Sequence, residues 1–160
     1  MTYVSLLLFV IALGIDLGAG IYEARIVVPL WANSIPESLA AGNPYGRVAI
    51  DAGMRFWAHV TTAVAFFALL SLVFGLHTSA PQRTWRTFAA IAELAVVAGT
   101  LLYFRPTLIR LFMSHGAELT PAAVASTVRR WVLWSRVRIV VSFIAWCAAL
   151  SALALSGRAY

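Results

Sequence analysis

The chain has no lysine, one cysteine and few acids. Its 160 residues carry twelve basic residues, all arginine, and six acidic ones, and charged residues make up only 11%. A soluble domain of this length covers its core with polar surface, and about a quarter of an ordinary globular composition is charged. That surface is missing here. The lone Cys147 stands inside an apolar run. It excludes an intrachain disulfide, a CxxC redox centre and a cysteine-rich metal site, and a thiol-based quinone reductase with them. There is no GxGxxG, and no GxxxxGK followed by Ser or Thr, so the common dinucleotide and P-loop signatures are absent. Internal repeats and low-complexity linkers are absent as well.

What the chain does have is hydrophobic length. Residues of the apolar classes make up 62% of it, and four stretches reach the roughly 20 residues that a helix needs to cross a hydrocarbon layer. The runs are rich in Ala and Leu and lack the alternation of a membrane barrel. The expected fold is all-α: an integral membrane bundle of four transmembrane helices in a single domain over 1–160, with helices at about 3–31, 53–76, 85–104 and 121–155. The first residues carry no basic n-region, so the first run reads as a retained helix rather than a processed signal. Loop one holds the turn residues Pro36, Asn43-Pro44 and Gly46. Loop two is short and makes its helices antiparallel neighbours. In loop three, Thr107–Met113 reads as a short amphipathic helix on the membrane surface. Thr120-Pro121 reads as an N-cap followed by proline at the first helical position.

With Lys absent, the net charge of +6 rests on Arg residues that flank apolar runs. They read as headgroup anchors, topology signals or anion binders, not as a nucleic-acid surface. Loops one and three share a side and carry Arg47, Arg105, Arg110, Arg129 and Arg130, against Arg83, Arg86 and Arg158 on the other. The positive-inside rule then expects a multi-pass protein of a cell inner membrane, with loops one and three cytoplasmic and both termini outside. Trp31, Trp57, Trp85, Trp131 and Trp134 stand near helix ends, where an aromatic belt is expected.

Ionisable groups within the spans are costly in hydrocarbon, so each is a functional candidate. They are Asp16, Glu23, Arg25, Arg55, His59, Glu93, Arg136 and Arg138. Taking loops one and three as the mouth, Glu23, His59, Thr100, Tyr103 and Arg138 fall within roughly 10 Å of one another in depth at 1.5 Å per residue. Asp16 and Glu93 form a deeper layer. The stripes Asp16-Gly20-Glu23, Arg55-His59-Thr62, Glu93-Val97-Thr100-Phe104 and Trp131-Trp134-Ser135-Arg138-Ser142 each follow helical spacing. Facing inward, they would line a polar cavity that opens at the mouth and closes at the far end. Arg25, Arg55 and Arg136 also read as snorkelling cations. Glu23 with Arg138 reads equally as a structural ion pair. His77 and His115 look solvated, so three separated histidines make no metal site. With only His59 inside a span, bis-His haem is not expected either.

Several short motifs bear on activity. These are Gly18-Ala19-Gly20-Ile21-Tyr22-Glu23 with Val28-Pro29-Leu30-Trp31, Phe56-Trp57, Tyr103-Phe104-Arg105-Pro106, and Trp134 with Arg136-Val137-Arg138. Together they resemble the small four-helix membrane family that includes the anthrone oxygenase-like proteins, over nearly the whole chain. The chain departs from that pattern at Ser135-Arg136, where the family carries an Asn-x-Arg-like step. The resemblance implies oxidation of a phenolic polycycle by molecular oxygen, with no metal, flavin or other cofactor. The residues fit such chemistry. His59 or Glu23 is the candidate base and Arg138 the oxyanion partner. Trp57, Tyr103 and Trp134 are candidates to sandwich a flat phenolic, anthrone- or quinone-like ring. Asp16, Glu93 and Thr100 complete the candidate ligand-binding set. The expected partners are membrane lipid and a hydrophobic small molecule, with no nucleic acid, in a homo-oligomer or a larger membrane complex. The competing reading is a non-catalytic subunit or hydrophobic-ligand-binding module of such a complex. A proton-coupled transporter built on Asp16 and Glu93 is disfavoured by four helices without an inverted repeat.

Overall fold

A computed structural model describes residues 2–33, 44–113 and 120–156, with the side chains of 44–50 and 113 left out. Pro36, Asn43, His115 and Arg158 lie outside the described residues. The chain is a four-helix membrane-spanning bundle. In order it runs α1 (Thr2–Tyr22), a π-helical turn (Glu23–Val27), α2 (Val28–Ala32), α3 (Pro44–Gly75), α4 (Ala80–Gly99), a second π-helical turn (Thr100–Phe104), α5 (Arg105–Met113) and α6 (Pro121–Ser156). Four stretches are long and apolar enough to cross a membrane: Thr2–Ala32, Asp51–Gly75, Ala80–Phe112 and Pro121–Ser156. They pack as a ring, with α1 between α3 and α6, and α4 between the same two helices on the other side.

Helix boundaries follow local chemistry. α3 begins at Pro44 rather than near Gly53, because proline suits a first helical position and Gly46 is tolerated inside the first turns. At 32 residues the helix is about 48 Å long, well beyond the hydrocarbon thickness, so its first turns stand outside. The α3–α4 turn is closed by Thr78, whose hydroxyl and amide both donate to the Gly75 carbonyl, at 2.7 and 3.1 Å. Pro81 then follows at the start of α4. Thr120 caps α6 by accepting the Ala123 amide at 3.3 Å. α5 continues the path of α4 through the π turn. It turns Leu111 and Phe112 inward onto Val124 and Val128 of α6, and so is docked rather than lying free on a surface.

The far half of the bundle is solid. Leu6, Phe9 and Leu13 of α1 meet Val64 and Ala68 of α3, Ala89 and Ala90 of α4, and Ala148, Ala149 and Ala152 of α6. Small residues let the helices approach closely, which is how association gains packing contacts when lipid is already apolar. Arg86 lies in this layer. Sequence position made it a topology charge, but the side chain is 0% exposed. Its Nε donates to the Ser71 carbonyl and hydroxyl at 2.8 and 2.9 Å, Nη1 to the Thr2 carbonyl at 3.1 Å, and Nη2 to the Ser5 hydroxyl at 2.7 Å. One guanidinium thus ties α1, α3 and α4 together.

Near the mouth, a second core is aromatic. Trp31 meets Phe112 and Trp131 edge to face at 5.4 and 5.5 Å between centroids, and Phe104 meets Trp131 at 5.8 Å. Trp31 and Trp131 are therefore buried core residues. The belt reading suits only Trp85 and Trp134, which are half exposed. A ring packed among rings buries large area from either side of the interface, so position near a helix end does not separate the two roles.

Candidate functional site

Between the aromatic cluster and the solid far half lies a cavity of about 480 Å³. Its polar end is built by three spans. Glu23, at the start of the first π turn, pairs with Arg138 of α6 at 3.2 Å, and its other oxygen accepts the Trp57 indole N–H of α3 at 3.1 Å. The Arg138 guanidinium lies over the Trp57 ring at 5.0 Å and the Phe104 ring at 4.9 Å. The pair is mostly shielded, with side-chain exposure of 10% for Arg138 and 18% for Glu23. A cation between two aromatic faces, with one carboxylate for a partner, is favourable where water is scarce. Thr100, Leu101 and Val97 continue the wall on the α4 side, and Ala65, Phe66 and Leu69 on the α3 side.

Both π turns border this cavity, and both have the same cause. A proline lacks an amide hydrogen and its ring clashes with the carbonyl four residues back. Pro29 follows the first residue of its turn, Glu23, by six positions, and Pro106 follows Thr100 by six. The clashing carbonyls, of Arg25 and Leu102, fall mid-turn. The backbone widens instead, so that the Val28 amide bonds to the Glu23 carbonyl and the Arg105 amide to the Thr100 carbonyl. A wide turn accommodates an extra residue and redirects its neighbours, and such turns gather at functional sites. Here they present Glu23 and Val27 from one span, and Thr100 and Phe104 from another, to the same space. The Trp131 indole donates to the Phe104 carbonyl at 3.3 Å and fixes the second turn to α6.

The other expected site residues are placed elsewhere. His59 is exposed on α3, its Nδ1 2.8 Å from the Arg55 carbonyl, and it does not line the cavity. Arg55 is also exposed and pairs with Asp51 one turn away at 2.9 Å. The inward face of α3 is Trp57, Thr61, Val64, Ala68 and Ser71, so the stripe Arg55-His59-Thr62 does not face the interior as a set. Tyr103 and Trp134 border a second groove of about 350 Å³ between α4 and α6, which shares only Phe104 and Arg138 with the first. Trp57, Tyr103 and Trp134 therefore do not enclose one ring.

Asp16 and Glu93 line neither space. Glu93 is 0% exposed. Neither of its carboxyl oxygens has a hydrogen-bond partner among the described residues. Among the described residues, no three His, Cys, Asp or Glu side chains gather to hold a metal.

No family model, curated protein or solved structure matches the chain. Function is therefore argued from the site, since a four-helix bundle alone carries none. The arrangement offers one thing chemically. An apolar chamber ends in a guanidinium and a carboxylate that can exchange a proton and a charge with a bound hydroxyl.

Proposed function

We propose that the protein binds a hydrophobic aromatic small molecule, phenolic or quinone-like, in the 480 Å³ cavity, with the ligand oxygen at Glu23 and Arg138. The observation that carries this is the Glu23–Arg138–Trp57 cluster in a mostly apolar cavity whose other charged lining residue is Arg105. A few converging polar groups in an apolar pocket are the usual form of a small-molecule site.

The same cluster supports an oxygenase-type reading. If Glu23 takes the ligand's proton, the carboxyl becomes neutral and the ligand becomes an anion. Arg138 then exchanges one anionic partner for another, so the site holds one cation and one anion before and after. The electron-rich anion reacts with molecular oxygen. For an anthrone, the methylene loses two hydrogens and gains one oxygen atom, and the second oxygen atom leaves as water. Glu23 and Arg138 are the proposed catalytic residues. His59 is left out, because it is exposed away from the cluster.

The test uses purified protein in mild detergent with anthrone, following binding by tryptophan quenching and oxygen uptake by electrode. Glu23→Gln is expected to weaken binding and slow uptake at least about tenfold, the worth of one charge-assisted hydrogen bond. His59→Ala is expected to match the parent. Binding retained in Glu23→Gln would remove the site. Binding without oxygen uptake would leave the ligand-binding reading and remove the oxygenase one.

Sidedness is proposed on charge. With Arg86 buried among hydrogen bonds, the far side keeps Arg83 and Arg158 against Arg47, Arg105, Arg110, Arg129 and Arg130 at the mouth. That imbalance supports a reading with loops one and three in the cytoplasm of an inner-membrane protein. An alkaline phosphatase fusion after Tyr160 should be active outside the cell. An inactive fusion there, with an active one in loop three, would invert the assignment.

A further inference from the structure

Resting on that ligand site, we propose that the ligand is a single-chain amphiphile. It has a hydroxylated aromatic head at Glu23 and Arg138 and one long alkyl or isoprenoid tail, and it reaches the site sideways from the bilayer between α3 and α4.

The cavity is long. Its wall on α3 is a ridge at every fourth residue, Gly53, Trp57, Thr61, Ala65 and Leu69, which spans about 24 Å at 1.5 Å per residue. The space is therefore a slot along α3 rather than a compact pocket. Its polar groups are gathered near the mouth end, where Trp57 donates to Glu23. From Trp57 to Leu69 another 18 Å or so remains, far more than a fused-ring head occupies.

That remaining lane offers a ligand little to hydrogen-bond. Its polar side chains are Thr61, Thr62 and Thr100, and the last two already donate their hydroxyl hydrogens to the Ala58 and Val96 carbonyls at 2.7 and 3.0 Å. A lane with so few free polar groups suits an apolar chain. Its rim is open to lipid. Phe66 and Leu69 of α3 are 55% and 53% exposed and Leu101 of the second π turn is 50% exposed, all within spans. The mouth carries the cluster of Trp31, Phe104, Phe112 and Trp131 instead. A molecule already dissolved in the bilayer meets the slot edge-on, with its head at interfacial depth and its tail along the hydrocarbon. A phospholipid headgroup suits the polar end less well, since the Glu23 carboxylate repels a phosphate and already holds Arg138.

The test compares two probes with the same head, hydroquinone and decylhydroquinone, on parent protein, Ala65→Trp and Val97→Phe in one detergent. Both variants narrow the lane beyond the head site, from opposite walls. The expected result is at least a tenfold loss of decylhydroquinone binding in both variants, with hydroquinone binding unchanged. Decylhydroquinone bound equally by parent and both variants would overturn the tail assignment while leaving the head site intact. Failure of both probes to bind the parent would overturn the ligand site, and the tail with it. A variant that elutes aggregated is set aside, and the other decides.

Discussion

Replacing Arg86 by leucine should cost the bundle about 1–3 kcal/mol, the loss expected when buried acceptors are left without their donor. In mild detergent this should appear as a large drop in melting midpoint and in the monodisperse yield. The side chain is fully buried and gives four hydrogen bonds, to Thr2, Ser5 and both oxygens of Ser71. None of those acceptors is a carboxylate, so the positive charge is spread over oxygens from two other helices. Ser71 lies one turn before the end of α3, where the helix dipole favours a cation. Gly75 leaves room beside it, and a methyl there would lie 3.3 Å from Arg86 Cδ. Arg86→Lys should recover little, because an ammonium has three donors on one atom and cannot reproduce the fork. Arg86→Met combined with Ser5→Ala and Ser71→Ala should recover a large part, since removing donor and acceptors together leaves fewer orphaned groups. An Arg86→Leu melting midpoint equal to the parent's would refute this role.

The spans were legible because lipid imposes a condition that composition exposes directly: long apolar runs with no water to satisfy the backbone. The inner faces were less legible, and α3 shows why. Its polar residues Arg55, His59 and Thr62 invited an inward assignment, yet Arg55 and His59 are exposed and the buried face is Thr61, Val64, Ala68 and Ser71. Near the end of a span, a polar side chain reaches the interface by its own length, so polarity does not report which way it faces. Smallness reports it in the far half, where Ala89, Ala90, Ala148, Ala149 and Ala152 are buried, because close helix approach requires it, but not at Ala58 and Ala63 of α3, which are exposed. Arg86 and the tryptophans mislead in the same way. A cation six residues into α4 reads as an anchor until its acceptors are seen, and Trp31 and Trp131 read as belt residues until their edge-to-face contact at 5.5 Å is seen.

At the site, the convergence of Glu23 and Arg138 was legible, because two opposite charges at one depth on two apolar helices have few other partners. Trp57 was legible as a residue of the cavity wall, but not as the donor to Glu23. The split of Trp57 from Tyr103 and Trp134 was not legible, since it depends on which side of α4 each ring takes. One signal was available and unread. Each π turn is followed at the same spacing by a proline, Pro29 after Glu23 and Pro106 after Thr100. A proline in the interior of a long apolar run must disturb the turn before it. Two such disturbances at matched depth mark a site before any coordinates are known.

Separating a structural ion pair from a working one takes a double-mutant cycle on Glu23 and Arg138. Each side chain is largely shielded and each is the other's ion-pair partner at 3.2 Å, so Glu23→Gln or Arg138→Met alone strands a charge. Each single change is expected to cost about 3–5 kcal/mol of stability, read as a lower melting midpoint. Glu23→Gln keeps an oxygen to accept the Trp57 indole bond, so its loss should be the smaller of the two. The double variant removes both charges of this pair, and its midpoint should return part of the way to the parent's. That recovery measures the coupling between the two groups directly. Ligand binding should behave differently. It should be lost at least about tenfold in each single variant and stay lost in the double variant, because the hydroxyl then loses both its proposed base and the cation paired with it. Recovery of binding along with stability would reduce the pair to a structural tie between α1 and α6. Stability restored without binding would mark the same two atoms as the place where the ligand's oxygen is held.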